Sequence, residues 1–278
     1  MQTKTCGVCL SWSTRFLLWS LIPFLGALLF QFVVTPNSNI FYPSDLSISY
    51  PLTTETVPTW ALFPPLVILL VVVLPLSFPH NFIRNSLLAT CSTVFAFSIN
   101  FFFTGFFKVL VGRLRPDFLA RCVLVDGECM GDAAVIREGR LSFFSGHAAF
   151  SFHFAMFFIS IVHFSATSRQ RNKSRPVAPP VLLACAGFFS LASFVAISRV
   201  VDYRHHPSDV VVGSFVGIIT GLYGYFLFSR HESDVDCQCR DLPHYKTHLM
   251  VPKSTSPSPN NQGTSNELGL TSRVAQMV

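Results

Sequence analysis

The sequence predicts an all-α polytopic membrane protein, a bundle of six transmembrane helices with both termini in the cytoplasm. Half of the 278 residues are hydrophobic and only 12% are charged, whereas soluble proteins carry about 25% charged residues. Six stretches of 20 residues or more contain no Asp, Glu, Lys or Arg, and about 20 apolar residues cross a bilayer as a helix. These stretches also lack the polar face that a helix of a soluble protein needs.

The six predicted helices follow the uncharged stretches in chain order. We place them at 16–34, 60–78, 86–108, 147–166, 179–198 and 209–228. The first is longer than the core of a signal peptide and no clear small-x-small cleavage site follows it, so it is interpreted as a retained anchor. The predicted organisation is therefore a cytoplasmic N-terminus at 1–15, a membrane domain at 16–229 and a disordered, Ser- and Pro-rich cytoplasmic tail at 230–278.

The distribution of charge predicts the orientation. With both termini in the cytoplasm, the cytoplasmic segments carry +7 and the opposite side −1, which together give the net charge of +6. Excess Lys and Arg in short loops marks the cytoplasmic side, most strongly here in the loop RQRNKSR at 169–175. We expect its glycosylation sequon at 172–174 to stay unmodified. Binding to nucleic acid is disfavoured, because the excess cations lie in juxtamembrane loops rather than on one basic domain.

Two cysteines, Cys122 and Cys129, fall in the predicted exoplasmic loop after the third span. A disulfide between them suits an oxidising compartment, and two free thiols are the alternative. No His and Cys cluster has the spacing of a zinc site.

Three clusters of polar residues lie at the predicted exoplasmic ends of the spans. In the first, Lys108 and Arg115 are seven residues apart, so they share a face if the helix persists, and Pro116 limits that helix to about residue 115. The second cluster, SFFSGH, opens the fourth span. Ser145 suits a helix N-cap there, and the amides of Ser145, Gly146 and His147 can point at an anion.

The third cluster joins the fifth and sixth spans and contains Arg199, His205 and Asp209. Pro207 suits the first turn of the sixth span, where the helix dipole would keep Asp209 ionised. A carboxylate one turn from His205 can fix the tautomer of that imidazole. Fixed cations, a helix N-terminus and histidines on one side of a bundle predict a phosphate site and phosphoryl transfer through a histidine, without a carboxylate cluster to hold magnesium.

The combination K-x6-R-P, S-G-H and S-R-x5-H-x3-D resembles the type 2 phosphatidic acid phosphatase superfamily. Its context, GRLRPDFLARC, REGRLSFFSGH and SRVVDYRHHPSD, is similar to the animal lipid phosphate phosphatase branch over about residues 10–230. The resemblance implies that His205 is the nucleophile, that Asp209 orients it and that His147 is the general acid. It further implies that the phosphate oxygens are bound by Lys108, Arg115, Ser145, Gly146 and Arg199. Phe144 replaces the proline of the wider superfamily and marks the animal branch.

The function implied by this resemblance is metal-independent hydrolysis, without a cofactor, of lipid phosphomonoesters at the exoplasmic or lumenal face. The expected substrates are phosphatidate, lysophosphatidate, sphingosine 1-phosphate and ceramide 1-phosphate, with the plasma membrane as the expected location and internal membranes as the alternative. The oligomeric state is open, a homo-oligomer included. Rival interpretations are an isoprenoid diphosphatase, a lipid phosphotransferase and an inactive membrane scaffold; the complete motifs disfavour the last. A channel is disfavoured because no charge lies in mid-span.

Several other polar or small residues receive structural interpretations. We interpret Arg113 and Arg121 as interface or headgroup anchors and His206 as a loop residue. The remaining residues are assigned to packing within or between the helices: His153, His163, Gly213, Gly217 and Gly221.

Overall fold

The computed structural model describes residues 7–62, 64–68, 72–78, 82–125, 128–170 and 179–240. The sequon at 172–174, most of the basic loop around it and the predicted tail from 241 onward lie outside these residues. In chain order the helices and strands are α1 (Gly7–Phe32), α2 (Pro64–Ile68), α3 (Leu74–Ser77), α4 (Phe82–Val111), α5 (Phe118–Arg121), β1 (Val123–Val125), β2 (Glu128–Met130), α6 (Ala133–Gly139), α7 (Gly146–Gln170), α8 (Pro179–Val201) and α9 (Pro207–Arg240).

Five helices of the described part of the chain are long and apolar enough to cross a membrane: α1, α4, α7, α8 and α9. They coincide with five of the six predicted spans, which confirms a mostly helical, multi-pass membrane protein. Helix α9 continues to Arg240, beyond the boundary that we placed after residue 229.

The region of the predicted second span, 60–78, consists of shorter pieces where it is described. A 3-10 helix covers Thr59–Leu62 and is followed by α2 and α3. Proline lies in the first turn of both short helices, where its missing N–H and fixed φ are tolerated. Each piece is shorter than the roughly 20 residues that a crossing needs, so the sixth span stays a prediction.

Helix α7 is the most enclosed of the five long helices. Phe157, Phe158 and Ile161 on α7 are buried in a cluster that also contains Leu88 of α4 and Phe228 of α9. The core therefore runs along α7, and the end of this helix at Gly146 is fixed relative to its neighbours.

Glycines on one face of α9 let it approach α7 closely. A Cβ atom on Gly213 would lie 2.5 Å from a backbone carbonyl oxygen of α7, and Cβ atoms on Gly217 and Gly221 would collide with carbonyl oxygens further along. Those oxygens belong to Ser145, Ala149 and His153, in that order. The predicted small-residue packing face is confirmed.

A buried hydrogen-bond network joins three of the long helices. His153 of α7 is fully buried, with Nε2 3.2 Å from the Thr93 hydroxyl of α4 and Nδ1 3.1 Å from the Thr220 hydroxyl of α9. The Asn100 amide of α4 donates to the same Thr220 hydroxyl at 2.9 Å. His153 therefore packs as predicted, and the network sets the register of α4, α7 and α9.

Candidate active site

The three predicted clusters meet in one cavity of about 380 Å³. The cavity lies where α4 ends and where α7 and α9 begin, which brings together segments that are distant in the chain. Its ionisable lining residues are Glu55, Lys108, Arg115, Glu138, His147, Arg199, Arg204 and His205. The three predicted cations, Lys108, Arg115 and Arg199, and the two predicted histidines, His147 and His205, are all among them. Glu55, Glu138 and Arg204 also line the cavity and were not predicted. Ser145 and Asp209, which were predicted, are fully buried and do not line it.

The end of α4 turns the first cluster into this cavity. The helix stops at Val111, and Gly112 follows with a φ of +59°, a conformation that favours glycine. A Cβ atom at Gly112 would collide with the carbonyl oxygen of Asn37. The helix therefore does not persist to Arg115, so Lys108 and Arg115 do not share a helix face. Arg115 reaches the cavity from the following turn, where its backbone N–H donates to the Gly139 carbonyl at 2.8 Å.

The second cluster forms the first turn of α7. The Ser145 hydroxyl accepts a hydrogen bond from the Ala148 amide at 3.4 Å, as an N-cap does. The Ser145 amide donates to the Asp209 backbone carbonyl at 3.0 Å. This amide is therefore not available to bind an anion, which differs from the prediction. The amides of Gly146 and His147 belong to the first turn, where helix geometry leaves N–H groups without an intrahelical acceptor.

The imidazole of His205 is buried and makes a hydrogen bond to a backbone carbonyl. Its Nδ1 lies 2.7 Å from the Ser142 carbonyl oxygen. Because a carbonyl only accepts, Nδ1 carries the proton and the lone pair of the neutral ring is on Nε2. Burial first, and then the positive charges of Arg115 and Lys108, hold the pKa of His205 well below its usual value. The imidazole is therefore neutral at pH 7 and suited to nucleophilic attack.

Asp209 is fully buried and acts on His205 through Ser142. Its carboxylate accepts hydrogen bonds from the Arg113 guanidinium and from the Ser142 hydroxyl, both at 2.6 Å. The predicted direct orientation of His205 by Asp209 is replaced by this indirect route. Arg113, which we interpreted as an interface anchor, is the partner of a buried carboxylate.

His147 follows Gly146 in the first turn of α7 and lines the same cavity as His205. Its Nε2 atom is buried and has no hydrogen-bond partner among the described residues. A buried ring nitrogen without a hydrogen-bond partner costs free energy, unless a ligand supplies that partner. This nitrogen is placed to exchange a proton with a group that enters the cavity.

Carboxylates hold the arginines of the cavity in place. Arg199 is almost fully buried and donates to Asp202 at 2.8 Å, with Glu55 3.7 Å away. Arg115 lies 3.1 Å from Glu138. Burial alone would raise the pKa of Glu138, but four cations lower it below its usual value. Those cations are Arg115, Arg121, Arg204 and Lys108.

The segment that carries Glu55 is tied to the loop between α8 and α9. The amide and the hydroxyl of Thr56 donate to the Asp202 carboxylate at 2.8 and 2.6 Å. The Thr53 hydroxyl donates to the Asp202 carbonyl at 2.7 Å, and Arg204 donates back to the Thr53 carbonyl at the same distance. Because these partners are about 150 residues apart, no local pattern in the sequence indicates them.

Three remaining predictions concern residues near the cavity. Arg121 is buried and forms two hydrogen bonds, of 2.8 and 2.7 Å, with Asp117, so its assignment to lipid headgroups is wrong. His206 lies in the loop before α9, as predicted, with Nε2 3.1 Å from the Leu114 carbonyl. Cys122 and Cys129 are joined by a disulfide across the β1–β2 hairpin.

The fold and the cavity together define a multi-pass membrane protein with a cationic, histidine-containing site at one end of its helices. Residues 87–232 match the PAP2 superfamily, and this chain belongs to that family. The match covers both histidines of the cavity and all six of the other residues that the resemblance assigns to the site.

Relatives of similar length support the assignment. A PA-phosphatase related-family protein of Dictyostelium discoideum is 33% identical over 80% of this chain and 82% of its own length. Phospholipid phosphatase 1 of Rattus norvegicus is 30% identical over 72% of this chain and 80% of its own. Lipid phosphate phosphatase 2 of Arabidopsis thaliana is 33% identical over 67% of each chain. No solved structure gives a significant match.

Proposed function

We propose that this protein is a lipid phosphate phosphatase that works through a phosphohistidine intermediate. The observation that carries the proposal is the state of His205, which lines the cationic cavity with Nδ1 bonded to Ser142 and the Nε2 lone pair unused. Membership of the PAP2 superfamily and the names of the phospholipid phosphatase relatives give the class of substrate.

In the first step, His205 Nε2 attacks the phosphorus atom and a P–N bond forms as the ester P–O bond breaks. Protonated His147 gives its proton to the departing alkoxide oxygen, so the alcohol leaves neutral. Lys108, Arg115 and Arg199, with the amides of the first turn of α7, stabilise the charge on the phosphoryl oxygens.

In the second step, water attacks the phosphorus atom of the phosphohistidine. Neutral His147 takes a proton from that water, and the P–N bond breaks. Inorganic phosphate leaves, and both His205 and His147 return to their initial states. Ser142, Arg113 and Asp209 touch neither reacting atom and position His205 throughout.

We propose that the reaction needs no metal ion. The carboxylates nearest the cavity are each paired with an arginine: Glu55 and Asp202 with Arg199, and Glu138 with Arg115. A magnesium site uses carboxylates that are available to the ion, whereas these are committed to holding cations.

The proposed substrates are phosphatidate, lysophosphatidate, sphingosine 1-phosphate and ceramide 1-phosphate. We propose six membrane crossings, with residues 60–78 as the second, and both termini in the cytoplasm. The cavity then faces the outside of the cell or a lumen, and the plasma membrane is the proposed location.

The test is phosphate release from phosphatidate by the purified full-length protein in EDTA. We expect turnover in EDTA, and loss of all measurable turnover on His205→Ala with the thermal unfolding midpoint retained. His163→Ala is the matched control, because His163 is exposed near the opposite end of α7. Normal rates in His205→Ala would refute the mechanism. Faster phosphate release from a polyprenyl diphosphate than from phosphatidate would favour the diphosphatase alternative.

A further inference from the structure

A second cavity, of about 360 Å³, adjoins the active-site cavity on its apolar side. It lies between α1, α4, α7 and the 3-10 helix Thr59–Leu62. Eight of its ten lining residues are apolar, five of them phenylalanines. Its volume is in the range of ligand pockets in proteins.

The two cavities are neighbours that share part of their walls. Both are lined by the same five residues: Leu28, Thr59, Leu62, Phe101 and Phe150. The apolar cavity then extends along α4 to Val94 and Thr93 and along α7 to Phe154. From Thr104, which lines the active-site cavity, to Val94 is ten residues of helix, or about 15 Å. The apolar cavity therefore leads from the phosphate site toward the middle of the bundle.

Rigid aromatic side chains form much of its wall. The ring of Phe97 lies 5.0 Å from that of Phe150 and 5.2 Å from that of Phe154, and the ring of Phe101 lies 5.9 Å from that of Phe150. Packed aromatic pairs keep fixed geometry. Such a wall gives the apolar cavity, which we call the groove, a defined depth. A wall of mobile side chains would not.

We infer that this groove binds one hydrocarbon chain of the substrate, so that its inner end at Val94 determines the preferred chain length. The inference rests on the proposed function. A phosphate bound by Lys108, Arg115 and Arg199 would place the first carbons of its lipid at the junction of the two cavities. An apolar chain gains free energy in proportion to the area that it buries, and the mostly apolar lining offers that burial.

A third cavity provides the control. It has a volume of about 210 Å³, lies between α7 and α8, and shares only Leu62 with the active-site cavity. We assign no substrate chain to it. Leu191 of α8 lines this third cavity and its side chain is about half exposed, so a larger residue there fills a groove of similar character without facing the phosphate site.

The experiment compares kcat/KM for two lysophosphatidates, with eight-carbon and eighteen-carbon chains, presented in mixed micelles to the full-length protein. We expect Val94→Trp to lower the ratio of long-chain to short-chain kcat/KM by about tenfold or more, because the indole shortens the groove. We expect Leu191→Trp to leave that ratio within about twofold of the wild-type value. An unchanged ratio in Val94→Trp, or an equal fall in Leu191→Trp, would overturn the inference.

A second variant decides the matter if Val94→Trp does not fold. Val94→Ala removes two methyl groups and lengthens the groove, so we expect the same ratio to rise by about twofold or more. An unchanged ratio in this variant counts against the groove. If the wild-type protein hydrolyses neither lysophosphatidate, the proposed function itself fails, and the inference fails with it. Turnover of both substrates with no effect at Val94 overturns the groove alone.

Discussion

In the proposed mechanism, Asp209 is a buried charge that positions His205 without touching the reacting atoms. Its carboxylate accepts from Arg113 and from the Ser142 hydroxyl, and the carbonyl of the same Ser142 holds Nδ1 of His205. One serine thus transmits the position of the carboxylate to the imidazole. Asp209 is fully buried, whereas the Arg113 side chain is 36% exposed, so this ion pair matters more for the geometry that it fixes than for stability.

Arg113 is therefore a positioning residue. We expect Arg113→Ala to lower kcat by about 10- to 100-fold with little change in KM, because Asp209 loses its cation while the phosphate ligands remain. Nη1 of Arg113 donates to both Ser208 and Asp209. Arg113→Lys keeps the charge but not the planar guanidinium that places this nitrogen, so we expect an intermediate kcat. Steady-state kinetics on phosphatidate measure both.

The exposed Arg230 near the far end of α9 supplies the control, and Arg230→Ala should leave kcat unchanged. A rise in KM with normal kcat in Arg113→Ala would instead place Arg113 among the groups that bind the substrate.

The residues of the cavity divide into those that spacing reveals and those that it does not. Lys108, Arg115, His147, Arg199 and His205 were predicted from motifs, and all five line one cavity. Their counter-ions were missed. A spacing pattern reports which side chains share a helix face or a helix end, whereas a contact between distant segments depends on how the helices pack.

At the scale of the elements, the helix ends decide where the functional groups lie. Helix α4 ends at Val111, four residues before the limit of about residue 115 that Pro116 sets. Gly112 comes directly after it, and glycine in this position is a common signal for the end of a helix. Pro207 begins α9 as predicted, since proline is suited to the first turn. The predicted second span is described only in part, as a 3-10 helix, α2 and α3. Apolar character alone does not show where such pieces begin, whereas prolines lie in the first turns of α2 and α3.

The contact between α7 and α9 holds the proposed phosphate-binding turn at the start of α7 against the loop that carries His205. We expect Gly213→Ala to lower the thermal unfolding midpoint in detergent and to reduce kcat, because the added methyl would lie 2.5 Å from the Ser145 carbonyl oxygen. Overpacking of this kind costs about 1 to 3 kcal/mol.

Gly187→Ala is the matched control for this substitution. A Cβ atom at Gly187 on α8 would meet nothing within 4 Å, so we expect a kcat equal to that of the wild-type protein and an unfolding midpoint that is no lower. Equal midpoints for the two variants would show that the close approach of α7 and α9 tolerates a larger residue.

At the scale of the whole molecule, the charges have two separate roles. The excess of +7 assigned to the cytoplasmic side predicts orientation, whereas the cations of the cavity are balanced by neighbouring carboxylates and contribute little to the net charge. The proposed orientation and the proposed chemistry can therefore be tested independently, since a reversed topology would leave the geometry of the cavity intact.

The orientation is testable with one substitution and one natural control. Asp45→Asn creates the acceptor pattern for N-glycosylation with Leu46 and Ser47, in an exposed turn 13 residues after α1 ends. We expect a glycosidase-sensitive increase in mass in this variant when it is made in eukaryotic cells, because only the lumenal side is glycosylated. The natural sequon at 172–174, on the proposed cytoplasmic side, should add no glycan to the wild-type protein. Glycan on the wild-type sequon, with none on Asp45→Asn, would place the cavity in the cytoplasm and require a cytoplasmic source for its substrate.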